Sequence, residues 1–531
     1  MKKGTRRSKV LAGMLAGMVS LSLIVSGCGS KKDDSTNTPS QTTTESKASE
    51  TTTETPKKDV KLTWMVPSSV ENLSSLLIPQ ELAKRTGVTL EIQAVPTASY
   101  AEKLNVVMGS GDLPDLINGL SLTDTNKYAQ EGAFAAINPY IDQLPNFKAL
   151  YVDNEENNWV MYSWSDDAGN LYKWPIYGLN RDVNHGFLYR ADVFKKLGIE
   201  PWTDTESFYN ALKKIKEAYP DVYPFASKNG VSIFGKLAKY WDISDNRGWF
   251  FYDENDGQWK FAGTTDEFKE MLDFMKKLYD EELLDPEFLT DTQDSWSEKM
   301  TTDKAFVTWD WIGRLELFTS QVKDTNPDYD LRFGRPIGST GKQFPLAKIE
   351  NWGPSVTAGE NELEAFKLLD YMTSEEGSEL FTIGIEGVNF RWEDGKPVYD
   401  ELKDEPLVDI ALLEKKYGMW VEGMYVRPDH RSVYYNFSER EQEAQDIANK
   451  ITGYTASDPQ LKLTDDENAQ YSDISTAVTK ELEVFASKYV TDKSYGEAQW
   501  NEWKAKANSM NVDVALKILN DAQARYDAAK K

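Results

Sequence analysis

Residues 90–117 read LEIQAVPTASYAEKLNVVMGSGDLPDLI, and their pattern decides the fold class. Residues 90–95 alternate apolar and polar side chains with period two, as a strand with one solvated side does. Ser99-Tyr100-Ala101-Glu102 matches a capping box and opens a helix with Tyr100, Leu104, Val107 and Met108 on one face. Gly109-Ser110-Gly111 ends that helix, and Pro114-Asp115-Leu116-Ile117 starts another strand. Strand, helix and strand in one short span make an α/β unit.

The alternation continues in both directions. Upstream, Leu62-Thr63-Trp64-Met65-Val66 is a short apolar strand, broken by Pro67-Ser68-Ser69. Downstream, Thr203-Asp204-Thr205-Glu206 is a second capping box ahead of Phe208, Leu212, Ile215 and Tyr219. Phe268, Met271, Leu272, Met275, Leu278 and Tyr279 form the apolar stripe of another helix, and Phe366, Leu369 and Met372 that of one more. The last 60 residues read as mainly helical. No repeat of fixed period is present, which argues against a solenoid. From residue 60 onward about 470 residues remain, too many for one compact core and enough for two large domains.

The N-terminus reads as an export signal. Lys2, Lys3, Arg6, Arg7 and Lys9 form a basic region, and an uncharged apolar stretch follows from Val10 to Gly27. It stops at Cys28, the only cysteine, and Leu23-Ile24-Val25-Ser26-Gly27-Cys28 resembles a lipobox, whose thiol is acylated. The stretch is just long enough for a transmembrane helix, but Gly13, Gly17, Gly27 and three serines weaken that alternative. Residues 1–27 are therefore expected to be a lipoprotein signal peptide. Residues 31–58 hold 13 Ser or Thr and no aromatic residue. Such a segment buries too little apolar surface to offset its ordering entropy, so residues 28–58 are expected to be the acylated Cys28 and a flexible tether, roughly 30 Å in mean span.

Charge and composition exclude several classes. The chain has 86 Asp and Glu against 60 Lys and Arg, a formal net charge of −26. Loss of the five basic residues of the signal would take it to −31. A surface this acidic argues against nucleic acid and against anionic lipid headgroups. With Cys28 acylated no thiol remains for disulfides or redox chemistry, and His185 and His430 are the only imidazoles. Both histidines lie among loop-like neighbours and are read as ordinary polar contacts. No GxSxG elbow, P-loop, GxGxxG after a strand, HExxH or CxxC occurs. Asp253-Glu254-Asn255-Asp256-Gly257 lacks the ligand spacing of a calcium loop and is read as a turn between two strands.

Aromatic usage is the informative departure, with 16 Trp and 26 Tyr. Several tryptophans sit at strand ends or in loops beside polar groups: Trp309-Asp310-Trp311, Asn351-Trp352-Gly353-Pro354, Trp241-Asp242 and Arg391-Trp392. A pyranose has apolar C–H faces and a rim of hydroxyls. Flat rings beside Asp, Asn and Arg match that chemistry. Large aromatics are also ordinary core and interface residues, so each of these tryptophans has both readings.

Four segments resemble family 1 extracellular solute-binding proteins, closest in look to the large lipoproteins of Gram-positive carbohydrate importers. They are Ser110-Gly111-Asp112-Leu113-Pro114-Asp115-Leu116, then residues 188–203 with Tyr189-Arg190-Ala191-Asp192, then residues 268–289 with Leu283-Leu284-Asp285-Pro286, then residues 365–389 with Gly384-Ile385-Glu386-Gly387. Each motif is weak alone; the ordered set behind a lipoprotein start is specific. The resemblance implies a type II, two-lobe periplasmic-binding-protein-like α/β fold with the ligand between lobes joined by hinge strands. Lobe 1 would comprise residues 59–178 plus 345–395, and lobe 2 residues 179–344 plus 396–531. The chain would cross near residues 177–180 and 344–351 and again near 390–400.

By that likeness the ligand-binding positions are strand ends: Ser68, Ser69, Asn118, Ser121 and Tyr177, completed by Trp309, Asp310 and Trp352, with Trp241 and Arg391 as additions. Some relatives carry a calcium loop after the helix at 205–219. Here Tyr219-Pro220-Asp221-Val222-Tyr223-Pro224 offers too few ligands, so neither a metal nor another cofactor is expected. The implied activity is capture of an oligosaccharide outside the cell by a lipid-anchored monomer, and delivery to ABC permease subunits, without catalysis. The membrane is met through the lipid anchor alone. A binding or sensor lipoprotein for another solute such as a peptide, or an exported carbohydrate-active enzyme, stays open. So does the charge of the sugar, for which Arg391 and Arg314 are the residues able to meet a uronate.

Overall fold

The computed structural model describes residues 60–178, 181–243, 247–405 and 408–530. The signal, Cys28 and the tether lie outside these residues. In chain order the strands begin with β1 (Val60–Pro67), β2 (Val88–Val95), β3 (Leu116–Ile117), β4 (Ile176–Tyr177), β5 (His185–Arg190), β6 (Phe250–Asp253) and β7 (Gln258–Phe261). They continue with β8 (Val307–Trp311), β9 (Leu331–Phe333), β10 (Ile349–Glu350), β11 (Ser355–Val356), β12 (Arg391–Glu393) and β13 (Lys396–Val398).

The first sheet has the order β11-β3-β1-β2. β1 runs parallel to both neighbours, and β11 closes the edge antiparallel to β3. Helices cover both faces, so β1 is apolar on both sides as a central parallel strand must be. Leu62, Trp64 and Val66 enter a core with Ile78 and Leu82, while Met65 points into a second cluster with Tyr100, Leu104, Val107 and Ile117. The helix between β2 and β3, Thr97–Ser110, starts two residues before the expected cap and has no side-chain cap. It ends where expected, with Gly111 at φ 74°, a left-handed position that suits glycine.

The second sheet, β8-β5-β9, is antiparallel throughout. One face carries Phe187 and Tyr189 into a large core with Phe208, Leu212 and Ile215, and the other carries Leu188 against Trp296 and Leu331. The cap of helix Thr205–Ala218 is Asp204 with Ser207, one residue later than the expected box. Helix Asp266–Asp280 buries Phe268, Met271, Leu272, Met275 and Leu278. C-terminal helices Asp465–Thr491, Glu497–Asn508 and Val512–Ala529 complete the same core. Residues 253–257 join β6 to β7 as a hairpin, and the Lys260 ammonium bridges Asp253 at 2.5 Å and Asp256 at 2.7 Å.

The expected return to the second lobe at residue 396 is corrected. Tyr399, Leu402, Leu413, Tyr417, Met419, Val421, Met424 and Val426 all pack in the core of the first sheet. Tyr435 still touches that core, whereas Phe437 packs with the second-lobe cluster. The third crossing therefore lies near residue 436, not at 390–400. β12 and β13 form a small hairpin on the first lobe instead. Apolar burial decides membership here: the 410–426 stretch contributes too many core side chains to leave the first sheet.

Candidate functional site

The lobes meet at a narrow ribbon and beside it, where the Tyr162 ring meets Tyr526 at 6.3 Å and Lys462 donates to the Asp166 carbonyl at 2.6 Å. β4 pairs with β10, Ile349 opposite Tyr177, and the Tyr177 amide donates to the Val426 carbonyl at 2.9 Å. The Lys348 ammonium and Arg427 guanidinium lie 5.6 and 5.8 Å from the Tyr177 ring.

On the first lobe, the segment after helix Ile410–Tyr417 forms a wall. Asn118 holds it in place: its Oδ1 accepts from Trp64 Nε1 at 2.6 Å, and its Nδ2 donates to the Gly423 carbonyl at 3.2 Å. Gly423 stands at φ 86°, where a Cβ would fall 2.5 Å from Asn118 Nδ2. That fixed turn presents exposed Glu422 and half-buried Tyr425. The Tyr425 ring meets Trp352 at 5.5 Å and Trp420 at 5.0 Å, both edge to face. Burial pushes the Tyr425 hydroxyl up to about 12, with Glu422 raising it further and Arg181 opposing. Ser68 Oγ donates to Glu414 Oε1 at 2.6 Å. Burial raises the Glu414 carboxyl above its ordinary value, the Ser68 hydrogen bond opposes this, and nearby Glu422 adds to it.

On the second lobe, His185 faces Trp311 and Phe187 faces Trp309 in the antiparallel register. Side chains two apart on a strand share a face, so His185, Trp309 and Trp311 cluster at one end of β5 and β8. The imidazole stacks on Trp309 at 5.2 Å and 10° and meets Trp311 edge-on at 5.6 Å. Trp309 Nε1 donates to the Tyr240 hydroxyl at 2.9 Å, and the Lys236 ammonium lies 4.9 Å from its ring centre. Trp311 is 57% exposed, the most open tryptophan among the large exposed side chains described. Burial holds the His185 imidazole down at about 4, helped by Lys236 and then by Lys239 and Arg181, against the pull of Asp310. His185 is therefore neutral at physiological pH.

Arg181, in the segment that follows β4, acts electrostatically on both His185 and Tyr425. Hollows continue along the hinge: one of about 660 Å³ between Trp164, Phe344, Asn351 and Tyr526, and one of about 360 Å³ around Lys239, Asp242 and Thr340. A third of about 680 Å³ lies beside Tyr177, Arg181 and Arg427.

The expected ligand residues divide between these surroundings. Ser68 joins the first wall, where Glu414 engages it; Trp352 is in the same wall and Trp309 in the second. Ser69 is exposed at the end of β1. Asn118 is buried with both polar atoms used, and so positions the wall without reaching out. Ser121 caps helix Leu122–Gln130, accepting from the Asp124 amide. Asp310 is 2% exposed and locked between Lys228 at 2.7 Å and Arg314 at 3.1 Å. Trp241 is corrected from platform to core residue: it is 1% exposed, and its ring packs against Phe274 at 6.0 Å. Arg391 is corrected likewise, because Glu393 and Asp400 engage its guanidinium on the β12–β13 hairpin. Sequence reasoning missed His185, Trp311, Lys236, Glu422 and Tyr425 as wall residues. Period two from Trp309 was the available signal for Trp311; the others come together only through the fold. Among the described residues no group of three His, Cys, Asp or Glu is arranged to hold a metal.

The family model for bacterial extracellular solute-binding proteins matches residues 70–379. The lipoprotein LipO of Bacillus subtilis (strain 168) is 28% identical over 336 residues, 59% of this chain and 64% of that protein. The fructooligosaccharide ABC transporter substrate-binding protein FusA of Streptococcus pneumoniae serotype 4 is 29% identical over 296 residues, 52% of this chain and 53% of its own. The chain thus spans less than two thirds of the length of either relative. Among solved structures, the HMO-binding ABC-transporter-associated solute-binding protein of Bifidobacterium longum infantis superposes with a TM-score of 0.67 at 16% identity, covering 89% of this chain and 99% of that one. Two α/β lobes with hinge strands between them are the type II periplasmic-binding fold. With more than half of its length matched by the family model, the chain belongs to the bacterial extracellular solute-binding proteins.

Proposed function

We propose that this protein captures an oligosaccharide at the outer face of the cell membrane and hands it to the permease of an ABC importer, without chemistry of its own. The observation that carries this reading is the aromatic surface on each lobe, exposed Trp311 beside His185 on one and half-buried Tyr425 and Trp352 on the other, with Trp309 and Trp420 buried behind them. Stacked rings cover pyranose faces while carboxylates and guanidinium groups bind hydroxyls. The fructooligosaccharide-binding function named for FusA supports it.

The lobes are residues 60–178 with 349–435 and residues 181–345 with 437–530. A sugar first settles on one wall. The hinge ribbon then closes, water leaves, and the polar contacts strengthen. The closed monomer docks on the permease. Ser68, Ser69 and Ser121 border the cleft, and Tyr177 sits at its hinge. Cys28, acylated after signal cleavage, anchors the chain, a reading that the lipoprotein relative supports.

Thermal shift with neutral and acidic oligosaccharides tests the proposal. A sugar at a hundred times its dissociation constant adds about 2.7 kcal/mol of stability, which a melting curve resolves. The sugar recovered afterwards is expected unchanged. Silence across the panel, or a cleaved sugar, would overturn capture.

A further inference from the structure

Both lobes line the hollow of about 660 Å³ beside the hinge. Asn157 and Trp159 come from the first lobe, Tyr252 and Tyr526 from the second, and Phe344 and Glu350 from the crossing between them. Tyr526 also meets Tyr162 of the first lobe, so the hollow lies where the lobes touch. Its volume falls within the range of about 300–1,000 Å³ typical of small-ligand sites. Trp159, Tyr252 and Phe344 are half-buried. Trp164 braces Trp159 edge to face at 5.5 Å, and Tyr252 tilts on Trp259 at 5.8 Å, so two of these rings have supported planes.

Two side chains of the lining are acceptors in want of a donor. Asn157 is 1% exposed; its Nδ2 donates to the Leu150 carbonyl at 3.0 Å, and its Oδ1 has no hydrogen-bond partner among the described residues. Glu350 is half-buried on β10. Burial alone raises its carboxyl above the ordinary value, and no cation or hydrogen bond among the described residues opposes this. The buried Gln523 amide is committed, its Oε1 accepting from Trp259 Nε1 at 3.1 Å and its Nε2 donating to Asp527 at 2.9 Å. The two lysines of the lining are exposed: Lys348 pairs with Glu156 at 3.1 Å, and Lys530 follows the last helix. A half-buried carboxylate without a counter-charge disfavours a second anion beside it and forms a charge-assisted hydrogen bond with a hydroxyl. An amide oxygen likewise accepts and does not donate.

We infer that this hollow takes one unit of the captured oligosaccharide and that the unit is uncharged, its face against the half-buried rings and its hydroxyls donating to Glu350 on the crossing and Asn157 on the first lobe. A uronic acid is refused there. The inference rests on the oligosaccharide reading above and adds the place and the charge of one sugar unit.

Titration calorimetry tests it with neutral oligosaccharides and with tetrasaccharides built wholly of uronic acids. Each acid is paired with the neutral sugar that carboxyl reduction makes from it, which keeps ring and linkage. Neutral sugars are expected to bind the unaltered protein at least about tenfold tighter than any uronide. Glu350→Gln should weaken the neutral sugar about tenfold, the loss of one charge-assisted hydrogen bond, and Tyr252→Ala about threefold or more. A uronide that binds as tightly as its reduced partner overturns the inference and leaves capture standing. Neutral-sugar affinity unchanged in E350Q, or in Y252A should E350Q not fold, does the same. Failure of every sugar, neutral or acidic, overturns both.

Discussion

Exposure separates tryptophans that look alike in sequence. Trp241 and Trp311 both adjoin polar residues at element ends, yet one is 1% exposed and the other 57%. Trp241→Ala is expected to cost about 3–5 kcal/mol of unfolding free energy through the cavity it leaves, readable as a lowered denaturation midpoint. Trp311→Ala should leave the midpoint within about 0.5 kcal/mol of the parent and weaken sugar binding at least about tenfold. Matching stability losses in both variants would remove Trp311 from the ligand wall. Lys173 is a second informative residue. It is 1% exposed, donates to the Leu120 carbonyl, and has its ammonium pushed down to about 8 by burial, with Asp124 opposing. Its folded value lies below the unfolded one. The penalty for burying the charge is therefore complete below pH 8 and is relieved as the pH rises toward the unfolded value near 10.5. Relative to Lys173→Met, the parent should gain stability between pH 8 and 10.5, on the order of 3 kcal/mol at about 1.4 kcal/mol per unit. A difference that stays flat across that range would show that the ammonium reaches water.

At the level of elements, the turn at Gly423 joins sequence to site. A left-handed backbone at φ 86° admits glycine readily, and a Cβ there collides with the amide of Asn118. Gly423→Ala should therefore lose about 1–3 kcal/mol and displace Glu422 and Tyr425, so binding weakens even where the variant folds. Gly111→Ala has open space around its Cβ and serves as the control, with backbone strain but an unchanged cleft. If both glycine variants bind sugar like the parent, the 420–425 wall is not part of the site. The strands and helices that flank this turn were legible beforehand because period two and period 3.6 are written in local apolar spacing. Thus β1, β2 and helix Asp266–Asp280 follow their patterns. Caps slipped by a residue or two, as at Asp204, because neighbouring Thr, Asp and Ser compete for the same amides. The third crossing was not legible: nothing local in residues 399–426 says which of two cores their apolar faces enter. The same holds for the wall. His185 and Tyr425 stand far apart in sequence from the residues they meet: the register of β5 on β8 brings His185 to Trp311, and the Asn118–Gly423 tie holds the turn that presents Tyr425.

For the whole molecule, the proposed capture between two lobes would make binding and closure a single equilibrium. A ligand shifts that equilibrium only by its difference in affinity for the closed and open forms, and turning one closed molecule in a hundred into ninety-nine requires a ratio of about 10⁴. A sugar held by one wall alone supplies no such difference. Contact with the second lobe through exposed Trp311 would supply it. Small-angle scattering of the parent at saturating sugar should therefore show a smaller radius of gyration than the protein alone. Trp311→Ala raises the affinity of the closed state for ligand far less, while the first wall of Tyr425, Trp352 and Glu422 is intact. At sugar concentrations that saturate even its weakened site, it should bind by calorimetry yet contract less than the parent. Full contraction of the variant would mean that the first wall, or the hinge hollow beside Phe344, carries closure, and the role of the β5–β8 edge would reduce to covering one ring of the sugar. No contraction in the parent would mean that the lobes already stand at their bound angle, with capture governed by access to the cleft and not by hinge motion.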